Sequence, residues 1–148
     1  MAYRKFFITL LISFFIMYLV MFLNIYEIGH YHTSLTRAYM TILMVTPMAV
    51  VMILMMGKMY QDRKRNLVII VTSLLLFVAA LAGLRSQTPV GDVQYMKAMI
   101  PHHSSAILTS KRANLSDPEV KKLAEQIIES QQKEIKEMEM MLERLRGR

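Results

Sequence analysis

At 148 residues, with no cysteine and a formal net charge of +7, the chain has room for one domain and an appendage and can build neither a disulfide nor a thiolate metal site. Its apolar residues gather into three charge-free runs, which excludes an ordinary soluble core. Residues 1–84 carry +5 and residues 85–148 carry +2, so most of the basic excess flanks those runs, where it orients a membrane protein rather than binding nucleic acid.

The runs cover residues 6–25, 38–56 and 67–84, each near the ~20 residues that cross a bilayer as a helix. The first exceeds the ~7–15 apolar residues of a secretory leader and is followed by no small-x-small cleavage site, so it reads as a retained span. Arg4 and Lys5 precede the first run, and Lys58, Arg63, Lys64 and Arg65 separate the second from the third. The first loop has Arg37 alone, beside Glu27, His30 and His32. The positive-inside rule then predicts an integral plasma membrane protein of the bacterial inner-membrane kind. Its N-terminus is cytoplasmic, and its first loop and C-terminal region are periplasmic or extracellular. All four histidines fall on the outer side.

In the second span Met40, Met44, Met48, Met52 and Met56 recur at every fourth position, with Met55 and Met59 beside them. Such a column is either a thioether ladder for Cu(I) or flexible apolar packing. Pro47 predicts a kink there. Residues 85–91 form a linker, with Thr88-Pro89-Val90-Gly91 as its turn signal.

A helix is predicted from Asp92, as its cap, to about Ala113, with Pro101 bending it. Ser116 and Glu119 have capping-box spacing around Pro118. A second helix should run from there to about Leu145. The pair forms an antiparallel hairpin within 92–148, and counting from its turn sets His103 opposite residues 127–131. Gln131, Glu134 and Met138 then face the first helix. A lone hairpin is marginal, so a homo-oligomer is expected to complete it.

Met96, Met99 and His103 share one helical face within an arc of about 60°, and His102 lies to the other side of Met99. Thioether and imidazole together suit copper, since thioethers favour Cu(I) and imidazole accepts several oxidation states. Met99, His102 and His103 are the leading ligand candidates, with Met96, Glu134 and Met138 next. Glu27-Ile28-Gly29-His30 has the Glu-x-x-His spacing of di-iron bundles, but it occurs once where those bundles need it twice. No Ser-His-Asp set, phosphate-binding glycine loop or paired carboxylates can be assembled, which argues against an enzyme.

Residues 92–141 resemble the domain of unknown function 305 family, whose members include CopM-like copper-binding proteins. The resemblance rests on Asp92, Tyr95, Met99-Ile100-Pro101-His102-His103 and Ala106, then on Ala124, Ile127-Ile128, Gln131, Glu134-Ile135 and Met138. It implies a ferritin-like, all-α helical bundle outside the cytoplasm, with copper as its metal. Ser105 and Thr109 stand where family members often carry further methionines, which implies a single site rather than multi-ion storage. The expected protein is thus a three-span membrane anchor bearing a copper-binding hairpin, used for resistance, buffering or handover to a copper-handling partner. The alternative is a non-catalytic assembly module working through its last amphipathic helix.

Overall fold

The computed structural model describes residues 2–147, and among them every regular element is helical. Five α-helices follow in order: α1 (Ala2–Val20), α2 (Leu35–Met55), α3 (Arg63–Ser86), α4 (Asp92–Arg112) and α5 (Pro118–Arg146). A 3₁₀ turn, Ile28–His30, interrupts the loop between α1 and α2. The chain divides into two compact units, Met1–Met21 with Thr36–Pro89, and Phe22–Leu35 with Val90–Arg148.

The first unit holds α1, α2 and α3, each long and apolar enough to cross a membrane. Phe6, Ala49, Ile53, Tyr60 and Ile69 form its buried cluster. The Tyr3 hydroxyl donates to Asn66 Oδ1 (2.8 Å), and Asn66 Nδ2 donates to the Tyr60 carbonyl (2.7 Å). The start of α1 and the α2–α3 loop therefore share one end of the unit, as three antiparallel spans require. Asp62 caps α3 by accepting from the Arg65 amide. Buried Thr41 and Thr46 donate to carbonyls four residues back, which removes the cost of a hydroxyl in an apolar helix.

One helix end differs from the sequence expectation, and the methionine column bears on the two readings left open for it. Helix α1 stops at Val20 rather than 25, because the chain beyond it is drawn into the second unit: Phe22 is buried there and Asn24 Nδ2 donates to Ser105 Oγ (2.7 Å). The methionine column of α2 also lacks an enclosed path. Met40, Met44, Met55, Met56 and Met59 are exposed, while Met52 packs on the Phe6 cluster. That arrangement fits lipid or protein contact better than a conduit.

Gly83 permits a close approach between α2 and α3. A Cβ there would lie 2.9 Å from the Tyr39 ring, whose hydroxyl donates to the Thr88 carbonyl (2.7 Å). Gly83→Ala must displace that ring, and overpacking of this kind costs about 1–3 kcal/mol. Thermal unfolding in detergent should show a lowered midpoint, with much less effect when Tyr39→Ala is already present.

The second unit is the α4–α5 hairpin with the first loop laid against it. Met96, Ile100 and Ile107 of α4 meet Ile135 and Leu142 of α5 in one cluster, with Tyr26 of the loop packed on it. Fully burying side chains of this size contributes about 1.5–3 kcal/mol each. Helix α4 continues through Pro101, and its cap is Gly91 rather than Asp92, which lies in the first turn. The cap of α5 is Asp117 rather than Ser116: its Oδ1 accepts from the amides of Glu119 (2.8 Å) and Val120 (3.0 Å). A carboxylate next to the positive helix end is the stronger cap, and Pro118 fixes the first turn.

Residues 22–35, expected to go with the membrane region, belong to the hairpin unit. Ser104 is wholly buried, and its Oγ accepts from the Tyr26 amide (2.7 Å) and pairs with His30 Nδ1 (2.8 Å). Lys111 Nζ donates to the Tyr26 hydroxyl (2.8 Å) and lies 4.2 Å from the ring centre. Leu35 N donates to Gln94 Oε1 (3.1 Å) where the chain enters α2.

Candidate metal centre

Pro101 has no amide hydrogen, so the helix loses one backbone bond a half-turn before the histidine pair. His102 and His103 then diverge. His102 is exposed, whereas His103 is 9% exposed and faces α5. Its Nδ1 lies 3.1 Å from Glu134 Oε2, close enough for an ion pair should the ring be protonated. The approach is misdirected for a hydrogen bond, and the buried Nδ1 has no hydrogen-bond partner. A buried imidazole nitrogen left unpaired beside a carboxylate is costly unless a proton or a cation joins them.

Glu134 is itself held. The Ser130 hydroxyl donates to Oε1 (2.7 Å), which leaves Oε2 turned to His103. Ser130 lies one helical turn before Glu134, so this support was open to an i,i+4 reading of α5. The hairpin closes about a turn further along α5 than counting from its turn indicates, since His103 meets Glu134 rather than residues 127–131.

The other candidates fall into two groups. Met99 is half-buried one turn before His103, and half-buried Met138 follows Glu134 by one turn. Met96, by contrast, is 6% exposed and fills the hairpin core with Ile100 and Ile107, and Met138 also packs against that core. His102 and His103 have ring centres 6.0 Å apart. Among the described residues no three His, Asp or Glu side chains converge as a metal site. An ion at the His103–Glu134 pair would therefore draw on thioether donors as well. Such an ion would be soft or borderline in kind, with His103 Nδ1 as its unpaired donor.

Glu27 and His30 do not form a di-iron half-site. His30 Nε2 lies 3.9 Å from Glu27 Oε2, and Nδ1 is engaged by Ser104. The pair borders a cleft of about 360 Å³ whose other polar walls are Gln132, Lys136 and Glu139. The linkage through Ser104 left no mark in the sequence, since a serine inside a helix looks like any other small polar residue.

Burial lowers the pKa of His103 below its usual value; Glu134 pulls it back up and His102 pushes it down. His32 is lowered too, first by burial and then by Arg146. Both rings gain less from protonation when folded than when unfolded. Stability from this source is complete above the unfolded value of about 6.5 and declines as pH falls through it toward the lowered folded values. Thermal midpoints of the metal-free protein should drop from pH 7.5 to pH 5, and His103→Gln should flatten part of that slope.

Three membrane-length apolar helices and a separate hairpin carrying a carboxylate–imidazole pair define the class: a small all-helical protein of membrane-associated build. The chain belongs to the family described as "Domain of unknown function (DUF305)", whose model matches residues 78–147, from the last third of α3 to the end of α5. It is also similar to the "Uncharacterized protein L153" of Acanthamoeba polyphaga mimivirus. The two are 40% identical over 119 residues, covering 79% of this chain and 76% of that one. No solved structure matches it.

Proposed function

We propose that the protein is a non-enzymatic, membrane-anchored copper binder whose hairpin faces away from the cytoplasm. The observation that carries this reading is the buried, unpaired Nδ1 of His103, set 3.1 Å from Glu134 Oε2. Copper would supply the missing cation. His103 and Met99 are its principal ligands, and Glu134 and Met138 approach from α5. Exposed His102 belongs to capture from solvent or to a second copy in a homo-oligomer, and Met96 supports the site from the core. Resistance, buffering and handover to a partner protein all need such a site on the outer face. The charge asymmetry of the loops supports that orientation.

The test is titration of the detergent-solubilised chain with Cu(I), Ag(I), Cu(II) and Zn(II). Preferential binding of Cu(I) and Ag(I) is expected of a site containing thioethers. Failure of a folded chain to bind any of the four would overturn the reading.

One observation favours an assembly module instead. Val120 and Leu123 are exposed beside Leu115 at the turn end of the hairpin, where they border an apolar groove. Under that reading the solubilised protein keeps one oligomeric size whether or not metal is present, and takes up no copper.

A further inference from the structure

The chain has three asparagines, and two of them have structural work. Asn24 donates to Ser105 Oγ, and Asn66 bridges Tyr3 and the Tyr60 carbonyl. Asn114 has none. It sits in the irregular connection between α4 and α5, it is exposed, and its side chain makes no hydrogen bond among the described residues. Asparagine in such a turn usually supplies a left-handed backbone or a cap. The left-handed non-glycine residue among those described is Gln87, and the cap of α5 is Asp117. Ser116, two residues on, is equally idle and exposed, because Asp117 has taken the capping role.

Asn114-Leu115-Ser116 is therefore an acceptor triplet for N-linked glycosylation, with no proline in the middle and neither polar side chain committed elsewhere. Its placement fits a bulky modification. Helix α4 is 21 residues long, so the triplet lies about 30 Å along the helix from the linker that follows α3. The surrounding backbone is not in a helix, and Leu115 N is tied only to the Ala113 carbonyl (3.1 Å). The similar protein of Acanthamoeba polyphaga mimivirus comes from a virus of a eukaryotic host.

We propose that Asn114 is an N-glycan acceptor when the chain is inserted in a eukaryotic secretory membrane. In the step, an oligosaccharyltransferase joins Asn114 Nδ2 to the anomeric carbon of a lipid-diphosphate-linked oligosaccharide. The anomeric carbon–oxygen bond to the diphosphate breaks, the lipid diphosphate leaves, and the amide nitrogen gives up one proton. The inference rests on the outward orientation proposed above, and its test separates the two.

The full chain would be expressed in a eukaryotic cell and its gel mobility compared before and after peptide N-glycosidase treatment. One discrete slower species, collapsed by the enzyme and lost in both Asn114→Gln and Ser116→Ala, is expected. Ser116→Thr should retain it. A second form carries an added acceptor triplet in a flexible extension after Arg148. Glycosylation of the extension without any at Asn114 would overturn the inference and leave the orientation standing. Glycosylation at neither position would overturn both.

Discussion

A chain carrying Met99→Leu and His103→Ala together is expected to lose at least about 100-fold in Cu(I) affinity while keeping its helicity. Loss of an outer partner of a metal ligand costs about 10–100-fold, and removal of two ligands must exceed that. The fold should tolerate both changes. Leucine replaces methionine at nearly constant volume, for less than about 1.5 kcal/mol. Removing the His103 ring also removes its unpaired nitrogen and leaves Glu134 half-exposed to water and still bonded to Ser130. Circular dichroism and Cu(I) competition titration on the same sample check both parts. Ser130→Ala should cost about 10-fold, the low end of that range, since the bond it removes is exposed and the carboxylate itself stays. If Met99→Leu/His103→Ala binds copper as the parent does, the assignment is wrong and the His103–Glu134 pair is a structural contact.

The elements of this fold were legible because each has a strong periodic or compositional cause. Three long apolar runs, parted by the first loop and by the basic cluster of residues 58–65, gave the three membrane-length helices, and Ser116-Asp117-Pro118-Glu119 marked the start of α5 at Pro118. Boundaries were lost where tertiary contacts override local preference. Residues 21–25 are as apolar as the span before them, yet Phe22 and Asn24 are used by the hairpin unit, and nothing in the local sequence signals it. The site was legible in the same uneven way. Helical periodicity grouped Met96, Met99 and His103, but it cannot tell a face turned to a ligand from one turned to a core. Met96 went to the core because it lies on the Ile100–Ile107 side of α4. His103 met Glu134 about a turn beyond the position that counting outward from the connection gives, and such a shift is invisible to counting.

The second large effect is expected at Ser104, the point where the first loop and α4 share a single hydroxyl. Tyr26 N–H already donates to its oxygen, so the hydroxyl proton is available to His30 Nδ1. Ser104→Ala would strand an amide hydrogen and an imidazole nitrogen of a ring that is 8% exposed. Each stranded buried group costs about 1–3 kcal/mol, so the loop should loosen by about 2–6 kcal/mol. The expected result is faster hydrogen exchange at the Tyr26 amide and new protease cleavage within residues 22–35, with helices α4 and α5 still protected. Ser105→Ala provides the comparison, because it removes only the exposed bond from Asn24, for about 0.5–1.5 kcal/mol. Equal exchange rates in the two variants would show that Ser104 does not hold the loop. Copper affinity in Ser104→Ala should stay within about threefold of the parent, since no ligand is touched and 1.4 kcal/mol corresponds to tenfold. A large loss would mean that the loop, with Glu27, His30 and His32, helps to form the metal site, and that the hairpin alone is insufficient.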